Sequence, residues 1–479
     1  MYYQYNKKFV NYIIDTIVAI STPPGHGGIG VIRISGNSVP EIIPKLLGKI
    51  LEPRKAEYLP FLDTDGFILE KVIALFFPEP NSFTGENILE IHGHGGQMIL
   101  DILLERILKI SSNIRIAHPG EFTKRAFLNN KIDLIQAEAI ADIINASSHQ
   151  AAKSASNTLQ GIFSRQIHTI SKKITNLRTH IEASIDFSEE ATNVLPYNNV
   201  KKKLKTIIND IQQIYESTCH GVLLHEGVKI VIAGNPNAGK SSLFNALLGM
   251  DRAIVSTISG TTRDTLHESI QLNGITCHIT DTAGLKKNSD NEIEQIGIKR
   301  AWNELHNADH VLWVIDSNDD SNRKCNIALE YVEEILFAKN KKIPITIIRN
   351  KSDLTKEKIG INKINNYTYI TLSALFDNGT DLLRKHLHDH IKYKKQKNYS
   401  YNLTENQGNY IARRRHLNAL EKTSKYLLSA QDQLLSVMTI NELFAEDLGL
   451  AHNELSKIFG KFTSEDLLEK IFSTFCVGK

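Results

Sequence analysis

The stretch of sequence that most restricts the fold is VKIVIAGNPNAGKSSLFNALLG, at residues 228–249. An apolar run typical of a buried strand leads into Gly234, and after four intervening residues come Gly239, Lys240 and Ser241. Leucines at helical spacing follow. A glycine-rich loop between a strand and a helix can turn its backbone N–H groups toward phosphate oxygens. The stretch therefore predicts a phosphate-binding loop in an α/β domain.

The side chains of this loop suit a nucleotide that carries magnesium. Lys240 is expected to neutralise charge on the β- and γ-phosphates, and the Ser241 hydroxyl is expected to bind Mg²⁺. The loop residues predicted to contact the nucleotide are Asn237, Ala238, Gly239, Lys240, Ser241 and Ser242.

A second motif, NKSD at residues 350–353, indicates which base is bound. Its Asp353 carboxylate can accept hydrogen bonds from the ring N–H and exocyclic amine of guanine. Adenine lacks both donors and would leave that acceptor unpaired. A later run, TLSAL, offers a further backbone contact to the base. The residues assigned to the base are Asn350, Lys351, Asp353, Ser373 and Ala374.

Two segments between these motifs, SGTTRD and DTAGL, complete the pattern of a GTPase. Thr262 can complete the Mg²⁺ shell, Asp281 can hold the ion through water, and the Gly284 N–H can sense the γ-phosphate. The predicted nucleotide contacts in this part are Ser256, Thr257, Ile258, Ser259, Gly260, Thr261, Thr262, Asp281, Thr282, Ala283 and Gly284.

The residue after the DTAG glycine is Leu285, which cannot orient an attacking water by hydrogen bonding. Asn237 could instead coordinate a monovalent cation near the γ-phosphate, with the carbonyl oxygens of Ser256 and Ile258 and a threonine. Glu294 could position the water. Without other support, Glu294 would be interpreted as a solvated helix residue.

The rest of the chain shows other patterns of predicted secondary structure. Residues 15–125 combine short β-rich runs with Gly and Pro turns, which indicates an α+β domain. Amphipathic helical patterns precede the phosphate loop and return near the C-terminus. Because helical blocks flank the α/β region, we expect that region to be inserted into one helical domain. The predicted domains are residues 1–128, 129–224, 225–392 and 393–479.

Bulk properties narrow the class of protein. The chain has 479 residues, more than one hydrophobic core usually serves. A net charge of +3 argues against a polycationic nucleic-acid binder, and basic runs such as VKKKLK are interpreted as solvated surfaces. No run reaches the ~20 apolar residues of a membrane span. Four cysteines without CxxC spacing favour a reducing compartment, so we expect a cytoplasmic protein.

Several ordered stretches resemble the MnmE (TrmE) family of bacterial tRNA-modification GTPases over essentially the full length. They are DTIVAISTPPGHGGIGVIRISG, SFTGENILEIHGHGG, HPGEFTKRAFLNNKIDLIQAEAIADII, the GTPase motifs and the terminal FCVGK. The resemblance implies a multidomain α/β protein. An N-terminal α+β domain would bind folate and dimerise, and a helical domain would contain an inserted P-loop α/β GTPase domain.

The resemblance also implies a reaction. Proteins of this family hydrolyse GTP with Mg²⁺ and K⁺. Together with an FAD-dependent MnmG-type partner, they add a carboxymethylaminomethyl or aminomethyl group to C5 of the wobble uridine (position 34) of certain tRNAs. The resemblance implies 5-formyl- or methylene-tetrahydrofolate as cofactor and a homodimer that forms a heterotetramer or larger complex with the partner. It implies no membrane association.

Residue roles carry over where the motifs match. The resemblance implies Glu294 and Cys476 as catalytic residues, although the segment KKNSDNEIE is one residue longer than usual and leaves the placement of Glu294 open. The Mg²⁺ ligands would be Ser241 and Thr262, and the K⁺ ligands Asn237, Ser256, Ile258 and Thr261. The folate residues would be Arg33, Glu90, Lys131 and Lys479. Judged without the resemblance, Cys476 would be a packing residue.

Two other classes of GTPase share part of this pattern. A ribosome-assembly GTPase would share residues 228–390 but should add an RNA-binding appendage, such as a KH-type GxxG module in a basic domain, and the sequence shows no basic domain of that kind. An ion-transport GTPase would need membrane helices.

Overall fold

A computed structural model describes residues 15–186, 197–235, 237–249, 267–272, 274–281, 304–318, 343–364, 367–396, 410–437, 442–460, 468, 471–473, 475–476 and 478. The chain divides into two compact units. The first unit comprises Met1–Ala141, Thr158–Ile208 and Ala419–Lys479, and the second comprises Asp142–Asn157 and Asn209–Asn418. The predicted domain boundaries at 128, 224 and 392 stay predictions.

The first unit contains a six-stranded sheet in the order β3-β4-β5-β2-β1-β6. Neighbouring strands are antiparallel except for β1 and β6, which are parallel. Its strands are β1 (Thr16–Ile20), β2 (Gly27–Ser35), β3 (Glu57–Leu62), β4 (Ile68–Phe77), β5 (Ile88–Gly95) and β6 (Ile114–Ile116). This confirms the α+β fold predicted for the N-terminal region.

Two helices, α1 (Val39–Leu47) and α2 (Gln97–Leu108), supply apolar side chains to the same core as this sheet. In β2 the side chains of Ile32 and Ile34 are fully buried in that core. Because successive side chains of a strand point to opposite faces, Arg33 lies on the other face. The register pairs Arg33 with Glu90 of β5. Strand alternation thus places two predicted folate residues side by side outside the core.

The remaining elements of the first unit are helical. Helix α3 (Glu121–Leu128) follows the sheet, and α6 (Ile162–Asp186) packs against α12 (Glu442–Ser456), which continues into a 3-10 turn, Lys457–Phe459. Apolar residues of α6 recur every three or four positions and are buried, as an amphipathic helix requires. They are Phe163, Ile167, Ile170, Ile174, Leu177 and Ile181.

Four further helices contribute residues to both units. They are α4 (Leu134–Ile144), α5 (His149–Leu159), α7 (Tyr197–Glu226) and α11 (Arg414–Val437). None of the helices among the described residues combines the length and the apolar character needed to cross a bilayer.

The second unit is built on a seven-stranded sheet in the order β12-β13-β11-β10-β7-β9-β8. Its five central strands are parallel, and the two edge strands β8 and β12 are antiparallel to their neighbours. The strands are β7 (Val228–Gly234), β8 (His267–Leu272), β9 (Ile275–Asp281), β10 (His310–Asp316), β11 (Ile345–Asn350), β12 (Gly360–Ile364) and β13 (Tyr367–Thr371). The helices α8 (Lys240–Leu248), α9 (Ser352–Thr355) and α10 (Thr380–Gln396) alternate with them. This confirms the predicted P-loop α/β fold.

Residues from the start of α5 belong to the core of this second unit. Ala151 and Ala155 are buried in one cluster with strand residues such as Ile230 and Ile270. The Ser148 hydroxyl accepts a hydrogen bond from the Ala151 N–H (3.0 Å), as a helix N-cap does, and donates one to the carbonyl oxygen of Gly274 (3.1 Å). The α/β sheet therefore packs against the start of α5. In the sequence, α6 and α7 separate α5 from the predicted GTPase domain.

Candidate functional site

The candidate nucleotide site lies where five parallel strands end. The last residues of these strands are Gly234, Asp281, Asp316, Asn350 and Thr371. In an open parallel sheet, ligands bind outside the carboxyl ends of the strands. Strand order therefore gathers the phosphate loop and the NKSD motif at one edge, although they are far apart in the sequence.

The phosphate loop has a backbone that requires glycine at two positions. Gly234 has φ 146°, and a Cβ there would lie 2.1 Å from the carbonyl oxygen of Val314. Gly239 has φ 88°, and a Cβ there would lie 2.2 Å from the Asn350 Nδ2 atom. Helix α8 begins directly after Gly239, so its N-terminal N–H groups face the loop. The predicted loop geometry is present.

Lys240 extends across its own loop. Its Nζ atom donates hydrogen bonds to the carbonyl oxygens of Asn235 (2.8 Å) and Gly234 (3.2 Å). The side chain is buried, and this burial lowers the pKa of Lys240, while the nearby Asp281 carboxylate acts in the opposite direction. A cation held among backbone carbonyls at the head of a helix is suited to meet a phosphate.

Ser241 and Asp281 form the second polar pair. The Ser241 hydroxyl donates to Asp281 Oδ2 at 2.9 Å. Burial raises the pKa of Asp281, opposed by this hydrogen bond and by Lys240. The other carboxylate oxygen, Oδ1, is buried and has no hydrogen-bond partner within the described part of the chain. A hydroxyl and an unsatisfied carboxylate oxygen are hard oxygen ligands, so the pair fits Mg²⁺.

Asn350 joins the two halves of the site. Its Nδ2 atom donates to the Ala238 carbonyl oxygen of the phosphate loop, and its Oδ1 atom accepts from the Ala374 N–H, each at 3.0 Å. Asn350 is only 2% exposed, so neither bond has water as an easy substitute. The base contact assigned to Asn350 from the sequence stays a prediction; in the structure its side chain holds the two loops together.

Asp353, the predicted guanine acceptor, is exposed and held by one side chain. The Ser373 hydroxyl donates to Asp353 Oδ1 at 2.5 Å. Ser373 is buried, and its backbone exchanges two hydrogen bonds with Asn378 (2.9 and 3.0 Å). The carboxylate therefore has a fixed direction and keeps its other oxygen for a ligand. Asn237 and Ser242 are exposed on the phosphate loop.

Lys351 lies between Asn350 and Asp353 in the sequence. It pairs with Asp316, an aspartate that the sequence analysis had not identified. Its Nζ atom lies 2.6 Å from Asp316 Oδ2. Burial raises the pKa of Asp316, but the hydrogen bonds from Lys351 and the Asn318 N–H outweigh it, and the net shift is downward.

Twelve predicted site residues lie outside the described residues. They are Ser256, Thr257, Ile258, Ser259, Gly260, Thr261, Thr262, Thr282, Ala283, Gly284, Glu294 and Lys479.

The predicted folate residues in the first unit form a second polar group. Arg33 contacts Glu90 Oε1 through Nε (2.8 Å) and through a terminal nitrogen (2.7 Å). The guanidinium carbon lies 5.8 Å from the ring centres of both Phe83 and Phe122. Lys131 donates to the Pro80 carbonyl oxygen (2.9 Å), in the loop that carries Phe83. Phe122 is fully buried in the core, whereas Phe83 is exposed. Charged groups beside the exposed ring fit a flat heteroaromatic ligand with an anionic tail. The two rings were missed by sequence reasoning.

The C-terminal tail contacts the same region of the first unit. The Gly120 N–H donates to the carbonyl oxygen of Cys476 (3.3 Å), and the Ser21 hydroxyl donates to that of Gly478 (3.2 Å). These two hydrogen bonds hold the backbone of the tail at Cys476 and at Gly478, while Cys476 itself is exposed. Gly120 immediately precedes α3, so the tail contacts the chain next to the helix that carries Phe122.

Gly239→Ala tests the close approach between the phosphate loop and Asn350. The added Cβ would enter the space of Asn350 Nδ2 at a positive φ, so we expect the dissociation constant for GDP to rise at least about 100-fold. Gly249→Ala, at the other end of α8, is the matched control. Its φ is −62° and its Cβ would lie 3.5 Å from the nearest heavy atom, so affinity should be unchanged. Equal affinities for both variants would contradict this geometry.

Comparison with known proteins agrees with these features. The families described as "GTP-binding protein TrmE N-terminus" and "MnmE helical domain" match residues 16–131 and 134–476. The protein named tRNA modification GTPase MnmE from Blochmanniella pennsylvanica (strain BPEN) is 76% identical over 98% of this chain and 100% of its own length. The proteins of that name from Blochmanniella floridana and Yersinia pseudotuberculosis serotype O:1b (strain IP 31758) are 61% and 50% identical, over 98% and 97% of this chain and 100% and 99% of theirs. The chain therefore belongs to the MnmE family.

Proposed function

We propose that this chain is a GTP hydrolase that acts in the cytoplasm on the wobble uridine of certain tRNAs. The observation that carries the proposal is the side chain of Asn350, which fixes the phosphate loop to the loop that orients Asp353. This arrangement suits a nucleotide that presents phosphates at one end and guanine at the other. The tRNA substrate is inferred from relatives named tRNA modification GTPase, at up to 76% identity.

Binding begins with charge and backbone N–H groups. The N–H groups at the start of α8 and the ammonium of Lys240 attract the phosphates, exchanging the carbonyl contacts of Lys240 for phosphate oxygens. Ser241 and Thr262 would hold Mg²⁺, with Asp281 behind them, and the ion would supply neutralisation of phosphate charge. Asp353 accepts the guanine donors, and Ser373 keeps its carboxylate from rotating away.

Leu285 cannot orient the attacking water as a glutamine would, and the charge that develops on the γ-phosphate needs a positive charge nearby. We assign this to K⁺, held by Asn237 with Ser256, Ile258 and Thr261. Asn237 suits this role because the residue is exposed in the phosphate loop and its side chain carries an amide oxygen. Glu294 is assigned to position the attacking water.

The tRNA chemistry is assigned to the first unit. Arg33, Glu90 and Lys131, together with Lys479, would hold a tetrahydrofolate cofactor, which supplies a one-carbon unit when bound. Phe83, which is exposed beside Arg33, would contact its ring. Cys476 is the candidate nucleophile beside this pocket. We further propose a homodimer that works with an MnmG-type FAD protein to add a carboxymethylaminomethyl or aminomethyl group at C5.

Asp353→Asn tests the guanine assignment. Xanthine carries a carbonyl where guanine carries its exocyclic amine, and the Asn amide can donate to that carbonyl while Ser373 still donates to Oδ1. We expect GTP affinity to fall at least about 100-fold and XTP to become the better ligand. Competition of GTP and XTP for the purified variant measures this. An unchanged preference for GTP would refute the role of Asp353.

The potassium assignment is tested by GTP turnover in KCl and in NaCl at equal ionic strength. We expect turnover at least about tenfold faster in KCl, because a coordinated cation stabilises charge developing on the γ-phosphate. Asn237→Ala should abolish the difference. Equal wild-type rates in the two salts would remove K⁺ from the mechanism.

Cys476→Ser tests the role of the tail on tRNA. The variant is combined with the FAD partner, and modified wobble uridine is measured by nucleoside analysis of the tRNA. We expect modification to fall at least about tenfold, because a hydroxyl is a far weaker nucleophile than a thiol. Cys219→Ser, on α7, is the matched control and should modify tRNA normally. Full modification by Cys476→Ser would show that the thiol only packs.

A further inference from the structure

Asp316 ends β10 directly beside Asn350, the last residue of β11, with which it is paired in the sheet register. Both of its carboxylate oxygens are engaged. Oδ1 accepts from the N–H of Asn318 (3.0 Å), and Oδ2 accepts from Lys351 Nζ (2.6 Å). Because the Asn318 N–H fixes one carboxylate oxygen, the other oxygen has a defined position from which to hold Lys351. Asp316 therefore reaches the nucleotide site through Lys351, one of the residues assigned to the base.

The residue that it anchors has an unusual backbone. Lys351 has φ 65° and ψ 35°, the left-handed region that residues other than glycine rarely adopt. This conformation turns the chain from the end of β11 into α9, and Asp353 is the second residue of that helix. Whatever holds Lys351 in this conformation therefore also sets the position of Asp353 relative to Ser373.

The stem of Lys351 passes close to the phosphate loop. Its Cε atom lies 4.0 Å from the point where a Cβ on Gly239 would be. The ion pair is partly shielded, with 31% of the Lys351 side chain and 27% of the Asp316 side chain exposed. An exposed pair on flexible side chains would contribute little. Here Asp316 is fixed by a hydrogen bond and Lys351 has a strained backbone. The ion pair therefore joins two groups of defined geometry.

We propose that Asp316 is a positioning residue for guanine-nucleotide binding, which acts through Lys351 by holding it beside the phosphate loop in its left-handed conformation. The inference rests on the proposed function, because it assigns a further determinant of affinity to the same site. It predicts that Asp316 affects the binding of guanine nucleotide and leaves the chemical step alone.

The first test is Asp316→Asn in the full chain, with GTP hydrolysis as the readout. We expect KM for GTP and the dissociation constant of GDP to rise about tenfold, and kcat to stay within about twofold. Asp381→Asn is the matched control for loss of one negative charge, because Asp381 lies on α10 with its side chain 91% exposed. It should change neither parameter. An unchanged KM in Asp316→Asn, or a fall confined to kcat, would overturn the proposal.

A double-mutant cycle shows whether Asp316 acts through Lys351. Lys351→Met keeps the stem and removes the charge, so it should raise the GDP dissociation constant about as much as Asp316→Asn does. The double variant should bind GDP no more weakly than either single variant, so its GDP dissociation constant should also rise about tenfold. Multiplication of the two effects to about 100-fold would show independent roles and overturn the proposal.

Failure of this proposal can be distinguished from failure of the proposed function. That failure would show in the wild-type chain, as no preference for GTP over ATP. If Asp316→Asn does not fold, Asp316→Ser takes its place in both tests, because it also removes the carboxylate that pairs with Lys351. GDP affinity unchanged in folded Lys351→Met would overturn the proposal.

Discussion

The nucleotide site depends on one buried amide. Asn350 donates to the carbonyl oxygen of Ala238 and accepts from the N–H of Ala374, so a single side chain fixes the distance between the phosphate loop and the base loop. Both partners are backbone groups that would be costly to leave unpaired in this 2% exposed position. A ligand that must place phosphates and a base at once needs such a fixed separation, since its affinity depends on a pre-organised site.

The phosphate end of the site combines charges that the fold keeps partly dehydrated. Burial lowers the pKa of Lys240 and raises that of Asp281, so each residue is held in surroundings that disfavour its own charge. The two residues moderate this effect in one another, and Ser241 moderates it in Asp281. A bound phosphate would neutralise the charge of Lys240, and a divalent cation would neutralise that of Asp281. Within the protein each charge is only partly compensated. The sheet makes this possible by ending five parallel strands at one edge.

The sequence predicted those parts of the fold and site that depend on local backbone chemistry. Gly234 and Gly239 were predicted as phosphate-loop residues, and in the structure their positive φ values and close contacts admit no side chain. Contacts made across strands were not predictable. Asp316 meets Lys351 from 35 positions away, and only the order of β10 and β11 brings them together. The bridging role of Asn350 was missed for the same reason.

The most direct test of this account is the ratio of GDP and ADP dissociation constants for the wild-type chain, measured by calorimetric titration. A site that fixes an acceptor carboxylate against guanine donors should reject adenine, which has none at those positions, by at least about 10³-fold. Equal dissociation constants for GDP and ADP would contradict the assignment of Asp353 and, with it, the proposal that this chain is a GTP hydrolase.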